Sequence, residues 1–280
     1  MKVTIPEELK RDMPQTQWGK ILSATPIVMT VIATLLAGLA SSEMTHAQYD
    51  RAMGAQLQSK AGDQWGYFQA KKLRGAMQRN SLELLQATTD VHPLDNPALE
   101  KIPSLPAPAP DANLQAALEA VQMEKPDAEI IGSLRALDDQ TLETALQAAR
   151  DQARAFDASL APANQVLAQL EKSLPAGDKS AARDLIAAQM RFTAMRYDAE
   201  AALNQNIGYL LELQVRKANL SADRHHRRSQ KFFFGMLAAQ AGVIVSTFAM
   251  AARKRNLLWT LAAAAGIAAV AFAIYVYLRV

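Results

Sequence analysis

The chain has 280 residues, with 30 Lys and Arg against 27 Asp and Glu, for a net charge of +3. It contains no cysteine, which excludes disulfides, thiolate metal sites and a cysteine nucleophile. Residues 41–230 carry 21 basic and 24 acidic residues, and the flanking segments carry the remaining +6. The basic balance therefore belongs to the surroundings of the apolar runs, which points to anionic headgroups and not to nucleic acid.

Residues 1–20 form a polar segment with Lys2, Lys10, Arg11 and Lys20, and Trp18 stands where interfacial aromatics belong. Residues 21–40 carry no charge. As a helix they reach roughly 30 Å, enough to cross the hydrocarbon core. Pro26 is tolerable there. The run exceeds a usual signal-peptide core, so a retained anchor is expected.

Residues 41–90 read as a helix leaving the membrane. Met44, Ala47, Met53, Leu57, Ala61, Trp65, Phe68 and Leu73 recur at mostly three- and four-residue steps. Glycines 54, 62, 66 and 75 each weaken that helix by roughly 1 kcal/mol relative to Ala, so they are expected to serve close contact. Residues 91–110 hold six of the twelve prolines and read as an extended linker, because proline lacks the amide donor and restrains its neighbour.

Residues 111–174 return to helix. Leu142, Leu146, Ala149, Ala153, Phe156 and Leu160 form a coiled-coil-like seam in a helix opened by Asp139. Pro162 interrupts it, and Asp178 is an expected N-cap after a turn. Residues 178–231 form a long descending helix with its own seam, including Leu185, Phe192, Leu203, Ile207 and Leu210. Two further apolar runs follow, 232–252 and 257–278, separated by Arg253, Lys254 and Arg255. The helices before and after the linker reach roughly 72 and 80 Å. Their match predicts an antiparallel stalk with the 111–174 helices packed along it.

The segment Ala61–Arg74 is the densest mixture of aromatic, charged and glycine residues. On a helix Gly62, Gly66 and Ala70 form a small-residue ridge. Trp65, Phe68 and Lys72 fall on a neighbouring face. Asp63, Tyr67 and Lys71 stack at four-residue spacing, so that Asp63 and Lys71 flank the Tyr67 hydroxyl. Helix packing and a specific docking surface both suit this pattern, and packing is the commoner use of aromatics at helical spacing.

Glu43-x-x-His46 and Asp223-x-x-His226 resemble half of a bundle di-iron ligand set. Further bridging carboxylates are missing, so polar contact with headgroups is weighed above a metal and no cofactor is expected. Arg224, His225, His226, Arg227, Arg228 and Lys231, with Arg253–Arg255, form basic clusters suited to anionic lipid. Walker A, GxGxxG, GxSxG and HExxH signatures are absent, and no enzymatic reaction is expected.

Trp18-Gly19-Lys20 before the first apolar run, with Asp63-Gln64-Trp65-Gly66-Tyr67-Phe68-Gln69-Ala70-Lys71 later, resembles the bacterial membrane proteins grouped as domain of unknown function 4337. The resemblance implies one N-terminal membrane helix, a long helical middle and a C-terminal membrane hairpin. The Ala- and Pro-rich middle of this chain departs from the more heavily charged coiled coil of those proteins.

The expected fold is all-α: an integral membrane protein with three transmembrane helices and a long antiparallel, coiled-coil-like helical stalk. The expected role is a membrane-anchored scaffold or interaction protein forming a homo-oligomer. Its partners are then the bilayer and anionic headgroups, with no nucleic acid. A sensor with a ligand-binding bundle is one alternative. A channel-like assembly packing Gly235, Ala239, Gly242, Ala262 and Gly266 around a pore is another. Basic residues near the membrane are evenly divided between its two faces, and long loops cross it largely regardless of charge. The N-terminus is therefore expected in the cytoplasm and the stalk outside the bacterial inner membrane.

Overall fold

The computed structural model describes residues 17–94, 96–103, 111–175, 177–251 and 255–279. All regular structure among them is α-helical, as the sequence leads one to expect. The helices are α1 (Gln17–Thr88), α2 (Pro97–Glu100), α3 (Ala112–Gln122), α4 (Asp127–Arg135), α5 (Asp139–Ser159), α6 (Ala161–Ser173), α7 (Lys179–Ala251) and α8 (Arg255–Arg279). The chain divides into two units, residues 1–52 with 219–280 and residues 53–218.

In the first unit, parts of α1, α7 and α8 share an apolar cluster that includes Met29, Leu36, Phe232, Ala239, Ala269 and Val276. The Met29 side chain lies directly against Gly242 and Gly266, and Leu36 reaches Gly235. A methionine is flexible enough to fill the gap that two glycines leave. These small-residue faces, expected from sequence to pack spans together, meet Met29 and Leu36 of the same chain. Ile27, Leu35, Phe234, Phe248 and Ile267 are exposed. Helices α1 and α7 each contain a stretch long and apolar enough to cross a membrane. In α8 the corresponding apolar stretch, Thr260–Val276, is shorter.

In the second unit, α1 and α7 run antiparallel. Trp65, Lys71 and Arg79 of α1 meet Glu212, Glu200 and Asp198 of α7 in turn, so partner numbers fall as α1 numbers rise. Helices α3, α4 and α5 close over this pair, burying Leu114, Ile130, Leu134, Leu142 and Leu146 with Ala61, Ile207 and Leu211. Of the expected seam, Leu142, Leu146, Ala149, Phe156 and Leu160 are buried and Ala153 is half-buried. The Asp178 carboxylate accepts from the Ser180 and Ala181 amides, as an N-cap should.

Local chemistry moves two boundaries. Asp139 opens α5, as expected, and the residue that caps it is Asp138, whose carboxylate accepts from the Thr141 amide at 2.5 Å. Pro162 sits in the first turn of α6, where a missing amide costs nothing, so the chain restarts there after Leu160. The linker is not extended throughout. Asn96 caps α2 by accepting from Ala98, Pro97 opens it, and Leu99 is buried with Phe156, Leu160 and Phe192. The prolines at 106, 108 and 110 lie outside the described residues.

Candidate functional site

The segment 61–74 presents two faces. On the inner face Ala61 is buried, and Trp65 turns toward α7. The Trp65 indole donates to Glu212 Oε1 at 3.1 Å, and its ring meets Tyr209 edge-on at 5.1 Å and Phe68 at 5.5 Å. It also covers Gly208: a Cβ there would lie 3.2 Å from Trp65 Cε2. Gln64 donates to Asn204 at 2.5 Å. Lys71 pairs with Glu200 and lies 5.3 Å above the Tyr197 ring. The buried Glu200 carboxylate is held from a second side by Arg196 Nε at 2.6 Å.

The outer face is open. Gly62, Gly66 and Ala70 are exposed, and a Cβ at either glycine would meet nothing within 4 Å. The ridge thus serves no close approach among the described residues. In this unit, among the described residues, the glycines that do so are Gly208, under Trp65, and Gly75, against Tyr197 and Asp198. Asp63 and Lys71 do not flank the Tyr67 hydroxyl. Tyr67 is exposed, and Lys71 turns to Glu200 because a buried carboxylate needs a partner more than an exposed one does. Asp63 and Lys72 are exposed and make no ion pair with a described residue.

In the first unit α1 and α7 are joined by a polar cluster. His225 Nδ1 lies 2.5 Å from Glu43 Oε2, and its Nε2 lies 4.0 Å from Asp50. Arg228 reaches Glu43 at 3.8 Å, and the His46 ring is 5.3 Å from that of His225. Ser229 donates to the Ala40 carbonyl at 2.7 Å. The expected grouping of Glu43 and His46 with Asp223 and His226 is therefore replaced by one around His225. Asp223 is exposed and lies 3.8 Å from Arg51, while His226 bonds Gln230 on its own helix. Among the described residues no three His, Asp or Glu side chains are placed to hold a metal ion.

This cluster also divides the expected headgroup surface. His225 and Arg228 turn inward to Glu43, and Lys231 lies 5.9 Å from the Tyr275 ring. Arg224 and Arg227 are exposed. Arg253, Lys254 and the side chain of Arg255 lie outside the described residues.

Sequence reasoning missed Glu200, Asn204, Gly208 and Glu212 as partners of the 61–74 segment. Glu200 had a signal, a carboxylate beside the apolar seam of α7. Gly208 had one too, a lone glycine within a long helical pattern.

No curated protein and no solved structure matches the chain. Residues 18–159, half of the chain, match the family described as "Domain of unknown function (DUF4337)". The match includes the whole of the Asp63–Lys71 motif and the apolar run before it, and the chain belongs to the DUF4337 family.

Proposed function

We propose that the protein is a membrane-anchored helical scaffold that assembles with copies of itself through the outer face of α1. One observation carries this reading. Gly66, Ala70, Leu73, Met77, Asn80 and Leu84 follow one another at alternating four- and three-residue steps, and the packing of the described residues leaves this stripe uncovered. Leu73, Met77 and Leu84 are 64%, 60% and 66% exposed. A sustained apolar repeat of this period is what a partner helix fills, and a single asparagine within it sets register. The small residues at 66 and 70 let a second backbone come close.

In this reading 21–40, 232–252 and 257–278 are three membrane spans, and the second unit is an antiparallel stalk. The two spanning-length apolar helices and the outward-facing Ile27, Leu35, Phe234 and Ile267 support the anchor. Arg224 and Arg227 then meet anionic headgroups. The proposed setting is the bacterial inner membrane, with the N-terminus in the cytoplasm and the stalk outside. Cleavage at a protease site inserted at residue 101 in inverted vesicles alone would reverse that orientation.

Molar mass in detergent tests the assembly. The parent should be an oligomer, and Gly66→Leu and Met77→Glu should each give monomers. Gly66→Leu also raises local helix propensity by roughly 1 kcal/mol, so lost assembly cannot be blamed on a weakened helix. A monomeric parent, or oligomers unchanged in both variants, overturns the proposal.

A further inference from the structure

The second unit holds an open cleft of about 460 Å³ between α1, α5 and α7. Its size is that of a site for a small organic molecule. Lys71, Arg150, Arg154 and Arg196 line it, against only Asp157 and Glu200 among acids. These ionisable groups therefore sum to +2 at neutral pH.

The partners already present show which groups are available to a ligand. Glu200 is nearly enclosed, with its side chain 6% exposed, and takes both Lys71 and Arg196. Those three groups form one charged cluster whose two cations are already paired. Gln64 and Asn204 are bonded to each other. On the α5 wall the case differs. Arg150, half-buried, makes no ion pair or hydrogen bond with a described residue. Arg154 bonds Asp151 on its own helix, where both side chains are more than half exposed, a pairing worth little in water. Tyr67 of α1 also lines the cleft, and Leu203, Ile207 and the buried Phe156 supply an apolar side.

We propose that this cleft binds a small organic carboxylate. Arg150, with Arg154 beside it, takes the carboxylate through its planar donor fork, and the ligand's apolar body lies against Leu203 and Ile207. Tyr67 adds a hydroxyl donor from α1. The excess positive charge disfavours a cationic ligand, and the apolar side leaves no partners for a ligand that is polar all round. The site uses the inward edge of the 61–74 segment, whereas self-assembly uses its outer stripe.

The full chain in detergent, titrated calorimetrically with benzoate, hexanoate, inorganic phosphate and benzylamine, tests this. Benzoate and hexanoate should each saturate one site per chain and compete with one another. Arg150→Gln should weaken both by about tenfold or more, the loss expected for one charge-assisted fork. Arg135→Gln, on α4 and away from the cleft, should leave binding intact. Thermal melting of Arg150→Gln should match the parent, and Arg150→Lys should bind between the two, since it keeps the charge and loses the fork. Met77→Glu should still bind benzoate, which separates this inference from self-assembly. Absence of saturable carboxylate binding overturns the proposal, as does binding indifferent to Arg150→Gln. Phosphate or benzylamine binding as tightly as benzoate overturns the assigned ligand class.

Discussion

The Trp65 ring lies over Gly208, so close that a Cβ at position 208 would sit 3.2 Å from Trp65 Cε2. The ring has little room to give way, because its indole is bonded to Glu212 and its edges meet Tyr209 and Phe68. Gly208→Leu should therefore destabilise the second unit by about 2 kcal/mol through overpacking. Gly208→Ala should be close to neutral, since roughly 1 kcal/mol of added helix propensity offsets the milder strain. Chemical unfolding followed by circular dichroism checks both, and a Leu variant as stable as the parent would contradict the contact.

The pairing of Lys71 and Arg196 on buried Glu200 makes a second prediction. Lys71→Met removes one of two partners from an enclosed carboxylate and should cost roughly 2 kcal/mol. Adding Glu200→Gln should recover part of that loss, because the charge needing a partner is then gone. The double-mutant cycle measures the coupling directly. Additive losses would show that Lys71 and Glu200 do not support each other.

Glu43 is the hub of the polar cluster in the first unit, facing His225 at 2.5 Å and Arg228 at 3.8 Å. Glu43→Leu should take from Arg228 and from His225 Nδ1 the carboxylate they face in a half-buried site, leaving His225 only Asp50 at 4.0 Å, and cost about 2 kcal/mol. His46→Leu, which removes only a ring contact at 5.3 Å, should cost less. Melting temperatures in detergent rank the two, and the reverse order would remove Glu43 from its central place.

Asp138 gives a pH prediction. Hydrogen bonds from the Thr141 side chain and backbone hold its carboxyl below the usual 3.8. A carboxyl lowered by folding contributes stability above its unfolded value, and that contribution fades as pH falls through the folded value. Amide exchange at Thr141 should therefore quicken, relative to the intrinsic rate, only as pH drops below about 3.8. Asp138→Asn should keep the cap and lose this pH response, since an amide caps without titrating. A response unchanged in Asp138→Asn would assign it to another group.

The α5 seam and the Asp178 cap were legible because they depend on local spacing and local hydrogen bonds. Which carboxylate meets which histidine was not. Glu43 and His46 are one turn apart on α1, but their partner on α7 depends on the rotation at which the helices meet. One residue turns a helix by about 100°, enough to exchange His226 for His225. The same holds for Ala61–Arg74. Its two faces could be read from periodicity, but which face the chain keeps for itself depends on Gly208 and Glu200, more than a hundred residues away. Helix α2 was hidden by Pro97, since a proline's veto on helix is weakest in a first turn.

The chain carries its own optical probe. Of its three tryptophans, Trp18 and Trp259 belong to the apolar-run regions, and Trp65 alone lies in the second unit. Because Trp65 is clasped between α1 and α7 beside the Glu212 carboxylate, its emission reports whether those helices are together. A Trp18→Phe, Trp259→Phe protein would turn opening of that helix pair into a fluorescence signal, with no label added.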